Sequence, residues 1–168
     1  MEGTVQRIDG GYVIRFECHL KHPVEKVWAA ITEPEQLVQW LARAEIELVE
    51  GGKFELRFDN TDSVIIGRVR EVIAPTVFEF IWNSPGAENS VVRWELQHDA
   101  AGCLLVLTHR LTLPDPLPSM LAGWQVHLEV LTTALIGQPI KWPWSRWEEL
   151  HDQYNNREPE WNQTEEKL

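Results

Sequence analysis

The chain has 168 residues, 43% of them hydrophobic and 24% charged, with two cysteines and nine tryptophans. That length suits one domain with a substantial core. A net charge of −11 without any basic cluster would repel a phosphate backbone, which sets nucleic acid aside as a partner.

The opening stretch, MEGTVQRIDGGYV, lacks a basic region followed by an apolar run, so no signal peptide is expected. No apolar run approaches the ~18 residues needed to cross a bilayer. The expectation is a cytoplasmic protein without membrane insertion. Residues 1–10 are polar and are expected to fray. Tyr12 to Leu20 alternates, with Tyr12, Ile14, Phe16, Cys18 and Leu20 opposite Val13, Arg15, Glu17 and His19, which reads as a half-buried strand. Pro23 suits a first helical position, and PVEKVWAAIT puts Val24, Val27, Trp28 and Ile31 on one face of a short helix. TEPE restarts a second, with Pro34 near its start and Leu37, Val38, Trp40 and Leu41 as its apolar face.

From Ala44 the period changes to two. EIELVEGG, KFELRFDN, VIIGRVREVI, VFEFIW, VVRWELQH and CLLVLTHRL read as six strands joined by turns, and Gly67 signals a bulge or a close approach within the third. CLLVLTHRL is apolar on both faces through Leu107, which suits a central or doubly covered strand. The proline-rich LTLPDPLPS leads to the longest helical pattern, Ser119 to Leu135. There Met120, Trp124, His127, Leu128, Leu131, Ala134 and Leu135 share one face. Gly123, Val126, Val130 and Leu121 widen it, and Gln125, Glu129, Thr132 and Thr133 fill the remainder. Gly137 and Pro139 end the helix. IKWPWSRWEELHDQY reads as a crossing segment and a short helix from Ser145 to Tyr154, and residues 157–168 as a loose acidic tail. The whole of 1–168 is expected to be a single domain with its core at about 12–155.

Runs of strands with helices segregated around them mark an α+β fold with an antiparallel sheet, here of about seven strands. Such a curved sheet wrapped around one long helix, with two short helices after the first strand, leaves a concave apolar space. Cys18 and Cys103 sit in apolar strand patterns and read as small core residues, with no disulfide required. The excess of tryptophan suits either bulky core packing or an aromatic-lined cavity.

HPVEKVWAAITEPEQLVQW resembles the opening helix pair of the START-like (SRPBCC) superfamily, whose helix-grip fold is that of the major birch-pollen allergen. GRVREVIAPTVFEFIW resembles its next strand pair. CLLVLTHRL followed by GWQVHLEVLTTALIG resembles the closing strand and helix of the branch named after activators of the 90-kDa heat-shock chaperone's ATPase. The likeness covers about residues 12–155. It implies a deep cavity between sheet and long helix, which members use to carry lipids, bind hormones or cyclise polyketides.

The candidate pocket residues are Phe54, Phe80, Trp82, Trp94, His109, Met120, Trp124, His127 and Leu131. His109 shares parity with Cys103, Leu105 and Leu107, and His127 lies in the apolar arc of the long helix. If both point inward, two imidazoles enter one apolar space, where they could anchor a ligand hydroxyl or carbonyl, act as acid or base near neutral pH, or be satisfied locally by backbone or water. Nothing in the pattern spells a nucleophile, a phosphate loop, a dinucleotide fingerprint or a metal-ligand spacing. No catalytic residue, cofactor or metal is therefore expected. The leading expectation is binding of a small apolar or amphipathic molecule. A cyclase- or hydrolase-type enzyme would use the same cavity, and a chaperone-associated interaction protein would instead show an exposed apolar patch. The cluster Trp142, Trp144 and Trp147 suits plain packing, closure of one cavity end, or a homodimer contact.

Overall fold

Period-two alternation of apolar and polar side chains builds one antiparallel sheet of eight strands. The computed structural model describes residues 1–83, 89–112 and 117–163. Its strands are β1 (Thr4–Ile8), β2 (Gly11–Leu20), β3 (Arg43–Ile46), β4 (Lys53–Phe58), β5 (Ser63–Ile73), β6 (Val77–Trp82), β7 (Ser90–Asp99) and β8 (Gly102–Thr112). They lie in the order β1-β2-β8-β7-β6-β5-β4-β3. Helices α1 (Val24–Thr32) and α2 (Pro34–Leu37) carry the chain from β2 to the opposite edge of the sheet. Helix α3 (Leu117–Leu135) packs into the sheet's concave side, and α4 (Trp144–Gln163) packs on α3. This is the α+β helix-grip arrangement.

The alternating sets named from sequence face inward. Tyr12, Ile14, Phe16, Cys18 and Leu20 are buried, as are Phe54, Leu56 and Phe58, and Phe78, Phe80 and Trp82. Cys18 and Cys103 are free thiols in this core. β8 is central, between β2 and β7, but Leu104 and Val106 on its outer face are only half-buried. Gly67 marks a close approach: a Cβ there would lie 1.7 Å from the Ile81 carbonyl oxygen. The bulge is two residues on, where the β5–β6 register shifts between Val69 and Glu71. α2 stops at Leu37, and Val38 turns outward. Trp40 folds back beneath α1 and donates its indole N–H to the Ala30 carbonyl at 2.8 Å.

Two expectations at the chain's ends are corrected. Residues 4–8, expected to fray, form β1, paired with β2 from Thr4↔Arg15 to Ile8↔Gly11 across a turn where Gly10 takes φ 79°. Residues 157–163, expected as the start of a loose tail, continue α4 through Pro159, and Trp161 is buried. Each end holds the other. Gly3 donates its N–H to the Tyr154 hydroxyl at 2.8 Å, that hydroxyl donates to Gln125 Oε1, and Arg157 pairs with Glu2 at 2.7 Å. This covering layer also buries Gln125, on the α3 side that reads as polar. Residues 84–88 in the loop after β6, 113–116 before α3 and 164–168 lie outside the described residues.

Candidate functional site

The open end of the sheet and the first half of α3 enclose a cavity of about 450 Å³. Strands β4 to β6 supply Phe58, Ser63, Ile65 and Trp82, and the β4–β5 turn adds Asn60 and Thr61. α3 contributes Ser119, Met120, Gly123, Trp124 and His127. The segment after α3 closes the remaining side with Trp142, Trp144 and Trp147. No Asp, Glu, Lys or Arg is among these residues. Gly123 makes room: a Cβ built there would have nothing within 4 Å. A glycine inside a helix costs about 1 kcal/mol relative to alanine, so its presence at an empty spot favours space over helix stability.

Of the nine sequence candidates, Trp82, Met120, Trp124 and His127 line this cavity. Phe54, Phe80, Trp94, His109 and Leu131 are buried in the packed core instead. Phe54 and Phe80 stack at 3.8 Å between ring centroids, and Trp94 sits edge-on to both Trp40 and Trp124 at 5.9 and 5.6 Å. Wall residues outside the candidate set include Phe58, which shares parity with Phe54 but lies nearer the open end, and Gly123, which read only as part of an apolar arc.

His109 is enclosed in a closed relay. The Trp124 indole N–H donates to its Nδ1 at 3.0 Å, and its Nε2 meets the Ser90 hydroxyl at 3.0 Å. Ser90 in turn donates to the Trp82 carbonyl at 2.7 Å. An indole can only donate, so Nδ1 carries the lone pair and Nε2 the proton. Burial pushes this imidazole down to about 3, which keeps it neutral.

His127 is different. Its Nδ1 lies 3.1 Å from the Trp40 carbonyl, which only accepts, so Nδ1 carries the proton. Burial pushes the group down to about 4, against a smaller opposing effect of that hydrogen bond. Nε2 of the neutral ring is then an acceptor with no partner among the described residues. The Trp142 ring lies 4.5 Å from the His127 ring, and its buried Nε1–H has no acceptor. The Trp142 indole N–H is thus a buried donor without an acceptor, on a ring packed against that of His127.

Beyond the Trp142–His127 pair lies a separate polar depression of about 360 Å³ bearing Arg43, Arg57, Asp59 and Lys141. The start of α4 is fixed by a two-pronged ion pair, Arg146 Nε and Nη2 to the Glu129 carboxylate, each at 2.9 Å. Arg146 holds the Glu129 carboxyl below its usual range. No set of three or more His, Cys, Asp or Glu suited to a metal ion occurs among the described residues. No helix there is long and apolar enough to cross a membrane.

Comparison with known proteins places this geometry. The model of the family described as "Activator of Hsp90 ATPase homolog 1-like protein" matches residues 21–135. No protein of curated function matches. CalU16 from Micromonospora echinospora is similar at 24% identity and a TM-score of 0.73, over 92% of this chain and 96% of that one. A protein encoded by gene BPP1335 of Bordetella parapertussis is similar at 28% identity and 0.70, over 93% and 91%. EF2215 of Enterococcus faecalis, a conserved protein of unknown function, reaches 0.76 at 17% identity, over 95% and 91%.

Proposed function

The chain belongs to the activator of Hsp90 ATPase homolog 1-like family, and from that premise we propose that it binds a small apolar or amphipathic molecule in the cavity between β4–β6, α3 and α4. The observation that carries this reading is Gly123. A mid-helix glycine facing open space, inside a wall of tryptophans without a charged side chain, suits a ligand site better than a core awaiting closer packing. Ile140 and Trp144, half exposed beside the two depressions, form an apolar rim for entry.

The test is native mass spectrometry of the chain purified from its own host, before and after denaturing extraction. A co-purifying mass of a few hundred daltons, released on denaturation, is expected. Titration with the neutral dye Nile red supplies the second readout: bright binding to the natural chain and none to Gly123→Leu, whose side chain fills the space. A ligand-free mass together with equal dye binding by both chains would refute the reading.

A further inference from the structure

We propose that β3 pairs edge to edge with β3 of a second copy of this chain, antiparallel about a two-fold axis at Ala44. The inference does not depend on what the cavity binds.

β3 is the last strand of the sheet and pairs on one side only. Its register with β4 runs without a shift from Arg43↔Arg57 to Ile46↔Phe54. Glu47 carries the ladder one residue further and donates its N–H to the Lys53 carbonyl at 2.9 Å. Hydrogen-bonded and open pairs alternate along an antiparallel ladder. Counting back from Glu47, the backbones of Glu45 and Arg43 bond to β4, and Ala44 and Ile46 point their N–H and C=O groups outward. Natural edges are guarded by proline, lysine, a bulge or a covering element. The residues RAEI include neither proline nor lysine, their register has no bulge, and no described strand pairs with their outer side. The opposite edge is different. The chain entering β1 is tied to α4 through Gly3 with Tyr154 and Arg157. The five residues of β1 include no acid, so a two-fold pairing there would gain no opposite charges.

Charge selects the register. By parity Arg43, Glu45 and Glu47 share one face, and the Arg43 and Glu45 side chains are 61% and 67% exposed. About an axis at Ala44, each Arg43 stands opposite Glu45 of the other copy, which makes two opposite-charge pairs and no like pair. Moving the axis to Glu45 adds a repulsive Glu45–Glu45 pair, and moving it to Ile46 sets Glu45 opposite Glu47 twice. The present ties of Arg43 to Asp59 and of Lys53 to Glu45 are exposed, so little is lost by rearranging them. The net charge of −11 opposes association, but that repulsion is screened beyond about 8 Å at physiological salt. Beside the edge the ion-paired Arg43, Lys53 and Arg57 balance Glu45, Glu55 and Asp59.

Apolar surface supports the same placement. Val38, just before β3, is 52% exposed, and Leu48 and Val49, just after it, are 37% and 59% exposed. Antiparallel pairing brings the start of one strand to the end of the other. Val38 of each copy thus comes near Leu48 and Val49 of the other, where contact removes apolar surface from water.

The experiment is sedimentation equilibrium of the full chain at pH 7.5 and physiological salt, up to about 0.5 mM, where a monomer–dimer equilibrium is expected. Ala44→Pro removes an outward N–H and no bond to β4, and an open edge tolerates proline. It should raise the dissociation constant about tenfold or more. Arg43→Glu and Glu45→Arg each set like charges opposite one another and should do the same. Mixed one to one, these two variants should pair with each other, because each then meets the opposite charge at both positions. That recovery also shows that both are folded. In the natural chain, amide exchange at Ala44 and Ile46 should slow as the protein is concentrated, while exchange in β7 stays constant, a readout that needs no variant. A chain that stays monomeric throughout overturns the inference, as does a dimer that survives Ala44→Pro or a pair of charge variants that do not associate on mixing.

Discussion

Trp124 of α3 gives its indole proton to Nδ1 of His109 on β8, at 3.0 Å, and that bond sets the protonation of every group behind it. His109 is forced to carry its proton on Nε2, Ser90 to accept it, and the Trp82 carbonyl to receive the Ser90 hydroxyl. Trp124→Phe strands a buried acceptor and should cost about 2–4 kcal/mol in urea unfolding. His109→Gln offers an amide oxygen to Trp124 and an amide N–H to Ser90, so it should cost clearly less than His109→Leu. Equal losses for the two substitutions would show that the relay contributes nothing beyond packing.

The two buried imidazoles make stability depend on pH. His109 sits at about 3 and His127 at about 4, both lowered from an ordinary 6.5 chiefly by burial. Between those values the unfolded chain binds more protons than the folded one. Stability is therefore full above about pH 6.5 and falls as pH drops toward 4, by roughly 1 kcal/mol per pH unit for each ring. Urea midpoints at pH 7.5, 6 and 5 should decline in that order. In His109→Gln the decline should be about half as steep, and an unchanged slope would contradict the assignment.

Two glycines should respond to alanine in opposite directions. At Gly67 the new methyl would meet the Ile81 carbonyl at 1.7 Å, a clash with backbone that only separation of β5 from β6 relieves. A loss of about 3 kcal/mol or more is expected there. At Gly123 the methyl enters open space on a helix, and a gain of about 0.5–1 kcal/mol is expected. Melting temperatures of the two variants on either side of the parent would bear this out.

The far ends of the chain should loosen together. Tyr154→Phe removes the hydroxyl that takes the Gly3 N–H and donates to Gln125, at a cost of about 1–2 kcal/mol. Amide exchange should quicken in β1 and α4 in the same variant and stay unchanged in β7 and β8. Faster exchange in only one of the two ends would show that they are not coupled.

The sheet was legible because its signal is local. Phe54, Leu56 and Phe58, or Val92, Trp94 and Leu96, declare an inward face by alternation alone. α3 declared itself by its apolar arc in the same way. β1 and the end of α4 were not legible, because their stability comes from pairs such as Gly3 with Tyr154, far apart in the chain and without periodicity. At the site, alternation gave the face but not the depth. Phe54 and Phe58 share parity on β4, yet one packs into the core and the other lines the cavity. The inward direction of His109 and His127 was readable. What separates them was not: Ser90 and Trp124 occupy both nitrogens of one ring, while Trp40 occupies a single nitrogen of the other.

The family match ends at residue 135, and Trp142, Trp144 and Trp147 all follow it. The stretch that makes the chain recognisable is thus not the stretch that finishes its cavity. The sheet and α3 on one side of the cavity and the tryptophans on the other are thus carried by different parts of the chain. Substitutions confined to Trp142, Trp144 and Trp147 would re-line this side of the cavity and leave the ties of Arg146, Tyr154 and Arg157 in place. A ligand transferred from a relative by likeness over the matched region alone would copy the floor of the site and omit its roof.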